Sequence, residues 1–346
     1  MVARNPNQGG ATWAVLQYVL GLRRLGHKVL LAEPIDNPSW DSITYFDNVC
    51  SAFGVDGQIV SPKDELAGFD AVLNISGMLP PTTIAPIPTR IYMDLDPAFN
   101  QLWQADGIDR GMDGHTHFVT VGQAIGQEMC DVPTLSRTWI HTLPPVVLEN
   151  WKPTEAVKTD AFTTVANLRS YGSIQRHGVL LGQKVHSLRR LVNLPRRSGE
   201  DFVLAMSVHP DERDDLAALE AGGWKLTDPE TVAGTPFRYR DFIRGSRAEI
   251  GVAKSGYVVS RCGWFSDRSA CYLASGRPVV AQDTGFSRFI PTGVGLLTFD
   301  DEDSAIEAIE EVVRDYDRHA RCALELAIEH FDSDRVLTSL LDRTCR

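Results

Sequence analysis

AEIGVAKSGYVVSRCGWFSDRSACYLASGRPVVAQDTGF, residues 248 to 286, carries more structural information than any other stretch of this chain. Its pattern predicts a short buried strand, then a Gly-broken loop bearing Lys254, Ser255, Arg261, Ser266, Asp267 and Arg268. A helix from about Asp267 to Ser275 and a strand from Pro278 to Gln282 follow. A loop that feeds a helix N-terminus presents free backbone N–H groups and the positive end of the helix dipole to whatever sits there. Small hydroxyls and two arginines beside it suit a phosphate or diphosphate.

The same alternation of strand and helix extends outward. Upstream, Phe162 to Asn167 and Asp201 to Val208 read as strands, Lys184 to Leu194 and Glu212 to Ala221 as helices, Trp224 to Leu226 as a short strand, and Pro236 to Arg244 as a helix. His209 reads as a strand-end residue. Before them, Leu143 to Pro153 has the proline content of a linker. A first α/β unit opens at Gly9 and Gly10 with apolar residues at helical spacing from Trp13 to Leu22, a stop at Gly26 and a strand at His27 to Ala32. Further strands are expected at Gln58 to Ser61, Asp70 to Ser76, Thr89 to Leu95, His117 to Gly122 and Thr138 to His141, giving a mostly parallel sheet. Only Met1 to Arg4 precede the glycine turn, so the first strand is either very short or begins upstream of this start. The GxGxxG dinucleotide fingerprint is not met, which argues against an NAD site.

Composition narrows the function classes. At 346 residues the chain suits two domains, and 43% hydrophobic with 23% charged residues is ordinary for a soluble globular enzyme in the cytoplasm. A net charge of −11 argues against a nucleic-acid partner. The six cysteines show no CxxC or His-paired spacing, so neither a metal site nor a disulfide framework is expected. No apolar run reaches transmembrane length, and the N-terminus has no signal-peptide core.

RCGWFS followed by GRP resembles the HCGWNS…GVP signature of plant-type GT-B glycosyltransferases. AEIGVAKSG and LASGRPVVAQDTG resemble the ADxxxxPS and EAMAxGxPVVATDxGG stretches of the group-1 family, and the GGxxxxVxxLxxxLxxxGHxV opening is similar as well. Arg261 stands where the plant-type pattern has His, and RCGW to GRP is two residues longer. Cys271 stands where both patterns place a Glu that grips the nucleotide ribose; Asp267, one helical turn earlier, is the substitute carboxylate.

The resemblance implies two Rossmann-like doubly wound domains facing a cleft. Residues 1–147 form the acceptor side and 148–330 the nucleotide-sugar side, while 331–346 form a helix packing back on the first domain. It implies transfer of a sugar from a nucleoside diphosphate sugar to a small-molecule acceptor, with no cofactor or metal. Arg169 and Lys184, at places where group-1 enzymes hold the diphosphate, join Gly9, Gly10, Lys254, Ser255, Arg261, Ser266, Asp267 and Arg268 as donor residues; both are alternatively plain surface cations.

On the acceptor side the candidates for a base are Asp94 and Asp96, at a predicted strand end, and His115. Strand-end capping for the aspartates and a structural role for the histidine stay open beside it. Trp264, inside the signature, is a stacking candidate. A non-catalytic sugar-nucleotide-binding relative, or an epimerase or phosphorylase on the same scaffold, is the alternative. Base, sugar, acceptor, stereochemistry and oligomeric state are not legible.

Overall fold

Fourteen strands appear in a computed structural model that describes residues 1–154, 157–208 and 212–345. His209 lies outside these. The first six strands are β1 (Leu30–Pro34), β2 (Asp56–Val60), β3 (Ala71–Ile75), β4 (Thr89–Asp94), β5 (His117–Thr120) and β6 (Trp139–His141). They pair in parallel as β1-β2 and as β3-β4-β5-β6. No strand forms at Met1–Arg4. Instead the terminal amine and the amides of Val2, Ala3 and Arg4 converge on the buried carboxylate of Glu33 in β1.

The second sheet is built from β7 (Thr159–Asn167), β10 (Phe202–Ser207), β11 (Lys225–Thr227), β12 (Ser246–Gly251), β13 (Val279–Gln282) and β14 (Leu296–Phe299). Its order is β11-β10-β7-β12-β13-β14, and every pairing is parallel. A parallel sheet is covered on both faces, so its strands carry continuous apolar runs, as the wholly buried β13 does. Between β7 and β10 an antiparallel hairpin, β8 (Ile174–Arg176) with β9 (Val179–Leu181), was not anticipated.

Local chemistry explains most boundaries. Ser39 caps the helix Trp40–Phe53 by accepting from the Ser42 amide, and Gly54 ends it at φ +60°. Asp301 and Ser304 form a capping box for the helix Glu302–Arg314. Two expectations are corrected. The helix expected over Lys184 to Leu194 is broken into Lys184–Leu188, a 3₁₀ turn Arg189–Leu191 and Leu194–Ser198, because Pro195 has no N–H to donate back into the preceding turn and sits instead in the first turn of a new helix. The loop after β12 is not open: Ser255–Ser260 is helical and ends at Arg261.

The helix Gly9–Arg24 joins the two halves. Trp13 and Leu16 lie in one continuous core with Tyr239, Ile243, Tyr272 and Phe286 from the second half. On its other side the helix Ser333–Thr344 packs against it, with Leu337 at Gly21 and the Arg24 guanidinium on the Asp334 carboxylate at 3.0 Å. Val146 in the proline-rich connection exchanges backbone hydrogen bonds with Phe331 and Ser333, so the outgoing and returning segments are zipped together.

The glycine turn is a packing device. A Cβ at Gly9 would fall on the Thr235 carbonyl and 2.6 Å from that of Ala233, and one at Gly10 would come within 2.9 Å of the Tyr239 ring. Gly9→Ala is therefore expected to lower stability by about 1–3 kcal/mol through overpacking. Gly172→Ala, which meets nothing within 4 Å, should be near neutral. Urea denaturation of both variants measures the difference.

Candidate active site

Asp94 and Asp96 leave the end of β4 in opposite directions. Asp94 is fully buried and accepts from Asn100 Nδ2 and Gln101 Nε2, each at 2.7 Å, from Thr120 Oγ1 at 2.8 Å and from the Asp96 amide at 3.1 Å. Burial pushes its carboxyl pKa up, against those hydrogen bonds. With both oxygens hydrogen-bonded and no exposed surface, Asp94 staples the β4 end to β5, the strand-end role that stood open beside the catalytic one. His115 is likewise committed, Nδ1 to the Met112 carbonyl and Nε2 to Asn74, both at 3.0 Å, with its edge on the Tyr92 ring. Burial lowers its pKa, and it takes the structural alternative rather than that of an exposed base.

Asp96 instead reaches across to the second half. Lys254 Nζ lies 3.2 Å from its carboxylate, and the hydroxyls of Tyr171 and Tyr257 both donate to it. The ammonium also sits 4.0 Å from the centre of the Tyr171 ring, with Phe99 and Tyr257 close by. Burial lowers the Lys254 pKa while Asp96 opposes that shift. Neither tyrosine was singled out from the sequence, although Tyr257 lies inside the opening stretch and Tyr171 beside Arg169. Tyr171 is brought here by the loop that leads into the unanticipated β8-β9 hairpin, and Tyr257 by the helix Ser255–Ser260.

Behind Lys254 lies a group of cations. Lys184 is buried and donates to the Val252 carbonyl at 2.6 Å. Desolvation drives its pKa well below that of an ordinary lysine, and Arg268 and Lys254 push the same way. Arg268 pairs with buried Glu249 at 2.5 Å and donates to the Val165 carbonyl at 2.9 Å. Asp267 opens the helix Asp267–Ala274 beside Arg268, its carboxyl pKa raised by burial. Ser266 is buried at the cap of that helix, and Ser255 Oγ accepts from the Gly182 amide at 3.1 Å.

Other predicted residues fall elsewhere. Arg169 is half exposed and pairs with Glu212. Arg261 is exposed at φ +47°, and Gly9 and Gly10 face Thr235 and Tyr239. Trp264 tilts against Tyr257 at 4.5 Å and pairs with Gly122 of the first half. Cys271 is buried under Gln17, whose Nε2 lies 3.6 Å from its sulfur and whose Oε1 accepts from the Val147 amide. The position where the resemblance places a ribose-binding Glu is thus occupied by a thiol and covered by a first-half side chain.

No protein-family model and no curated protein matches the chain. Solved structures do. HepE from Anabaena, solved with UDP-glucose, is 10% identical and superposes over 98% of this chain and 96% of its own at a TM-score of 0.63. The fold is that of the GT-B glycosyltransferases. A sucrose-phosphate synthase from Thermosynechococcus elongatus (10% identity, 99% and 96% covered, TM-score 0.59) and a glycosyltransferase from Rickettsia africae (11%, 97% and 94%, 0.58) share it. In this GT-B scaffold β4 and β12 both run toward the junction where Asp96 meets Lys254.

If Asp94 is a staple, Asp94→Ala strands the buried side-chain donors of Asn100, Gln101 and Thr120. At about 1–3 kcal/mol for each unpaired group, the variant should lose at least ~3 kcal/mol. Guanidinium denaturation checks this.

Proposed function

We propose that the protein is a metal-independent glycosyltransferase that moves a sugar from a nucleoside diphosphate sugar to a small-molecule acceptor, with the donor on the second domain and the acceptor on the first. The observation that carries this reading is the junction of Asp96 with Lys254, between the carboxyl ends of two parallel sheets and in front of buried Lys184 and Arg268. HepE was solved with UDP-glucose, which makes UDP the first nucleotide to test. The group-1-like and plant-type affinities rest on the motifs in residues 248–286.

In this mechanism the diphosphate lies along Lys184, Arg268 and Lys254, at the start of the helix Asp267–Ala274, with Ser266 and Asp267 at its edge. The bond from the anomeric carbon to the β-phosphate oxygen breaks, the acceptor oxygen bonds to that carbon, and the departing diphosphate takes the electron pair. Cations already in place stabilise that charge without reorganising. Asp96 takes the acceptor proton once the diphosphate has drawn Lys254 from it. Arg169 stands at the rim as a weaker donor contact.

Asp96→Asn should lower turnover of UDP-glucose, or of whichever donor a nucleotide panel selects, about a hundredfold or more, with UDP affinity unchanged or raised. Full activity in this variant sinks the base assignment. A non-catalytic sugar-nucleotide-binding protein is the second reading, favoured by Cys271 beneath Gln17. Release of UDP from a UDP-sugar by the parent protein rules it out.

Lys184 supplies a proton-linked test. Its pKa is depressed in the free protein, and a diphosphate beside it raises that pKa, so binding takes up a proton. Affinity therefore falls as pH climbs toward the ordinary lysine range. Calorimetry in buffers of different ionisation enthalpy is expected to show this uptake in the parent and less of it in Lys184→Met. That variant should bind UDP at least about tenfold more weakly. It should melt no lower, because a buried ammonium has been replaced by an apolar chain of similar size.

A further inference from the structure

Asp96 is the base of the reaction proposed above, yet its carboxylate is fully engaged. Oδ1 accepts from the Tyr257 hydroxyl and lies 3.2 Å from Lys254 Nζ, while Oδ2 accepts from the Tyr171 hydroxyl and lies 3.4 Å from the same ammonium. A carboxylate offers about four acceptor sites, and these contacts fill them. We propose that Tyr171 is a removable plug: its hydroxyl stands on Asp96 where the hydroxyl of the acceptor must stand, and the loop of residues 169–173 carries it away before transfer. The word acceptor rests on the transferase reading above.

The Tyr171 hydroxyl has the contacts a reacting hydroxyl would need. It donates to Asp96 and accepts from Lys254. Burial and the neighbouring Asp96 raise its pKa, so the phenol keeps its proton and remains a donor. The Asp96 side chain is still 22% exposed, unlike the enclosed Asp94, so a hydroxyl from solvent can reach it once a place is free.

Of the three groups on Asp96, Tyr171 is the one placed to leave. Lys254 is the N-cap of the helix Ser255–Ser260, and Tyr257 on that helix is buried in a core with Phe99 and Leu181. Tyr171 instead comes from a loop in which Arg169, Ser170, Gly172 and Ser173 are all exposed. Among the described residues, the backbone of this loop bonds to no other backbone. Arg169 ties its near end to Glu212, and Gln183 holds its middle by two long bonds, accepting from the Ser170 amide at 3.3 Å and donating to the Gly172 carbonyl at 3.4 Å. The Tyr171 ring itself rests edge-on against Trp103 at 4.7 Å and Phe99 at 5.0 Å, both of the first half. Donor binding loosens the plug. A diphosphate that draws Lys254 away removes a hydrogen bond to the Tyr171 hydroxyl and an ammonium that lies 4.0 Å from its ring centre. Transfer is therefore ordered, donor first.

Urea denaturation of the full-length protein tests the contact without any substrate. Tyr171→Phe is expected to lower the folding equilibrium constant about tenfold in the parent and less than about twofold in an Asp96→Ala background. Release of UDP from UDP-glucose, or from the donor that a nucleotide panel selects, tests the plug, with water or methanol as the acceptor. It should rise about tenfold in Tyr171→Ala, by less in Tyr171→Phe because the ring stays, and not at all in Tyr257→Phe. No coupling between Tyr171 and Asp96, an unchanged or lower rate in Tyr171→Ala, or an equal rise in Tyr257→Phe overturns the proposal. Absence of nucleotide binding in the parent counts against the donor reading alone, since the coupling is measured without nucleotide.

Discussion

The close approach of the helix Gly9–Arg24 to the second sheet's helices sets every distance in the candidate site. Two glycines allow the helix to meet the Ala233–Pro236 segment and the Tyr239 ring at distances that any side chain would forbid. Trp13 then donates to the Pro236 carbonyl at 2.7 Å and Tyr45 to that of Gly234 at 3.2 Å, so the contact is held by directed bonds as well as by apolar burial. The C-terminal helix braces the other face of the same helix, and the two halves are therefore tied at three places: the glycine turn, the connection at Val146 and the returning helix.

With the halves held so close, charges from one become counterions for the other. Lys254 would be a costly buried ammonium if it faced only the Tyr171, Tyr257 and Phe99 rings; Asp96 supplies the opposite charge from across the junction. Among the described residues Lys184 has no carboxylate at ion-pair distance and donates to the Val252 carbonyl, and burial, with Arg268 and Lys254 beside it, depresses its pKa. A site that keeps a cation under-neutralised is disposed toward an anion. Arg268, by contrast, is already matched by Glu249 and anchored to Val165.

The two aspartates of the β4 end show how much two steps along the chain change a side chain's environment. They are separated by one residue, yet one is enclosed among Asn100, Gln101 and Thr120 and the other faces Lys254. Both remained candidates from sequence because strand ends in α/β sheets expose functional groups, and that rule does not say which of two adjacent carboxylates turns inward. His115 was undecided for the same reason. Its ring nitrogens are claimed by Asn74 and Met112, partners that only the folded loop brings to it.

Alternating apolar strands and helices, glycine and proline punctuation and the motifs of residues 248–286 determined the fold by themselves, because each depends on neighbours a few residues away. The parallel sheets, and the helix Asp267–Ala274 that follows the signature loop, were legible in that way. Tertiary structure alone decided that the glycine turn packs against Tyr239, that Cys271 lies beneath Gln17, that Arg261 takes a left-handed backbone angle at the end of the helix Ser255–Ser260, and that Tyr171 and Tyr257 join Asp96. Each of these contacts joins residues far apart in the chain, or depends on a left-handed backbone angle that an arginine does not advertise. Local periodicity specifies elements and their order; which side chains share a charge or a cavity is set by the separation of the two sheets, a quantity no short window of sequence contains.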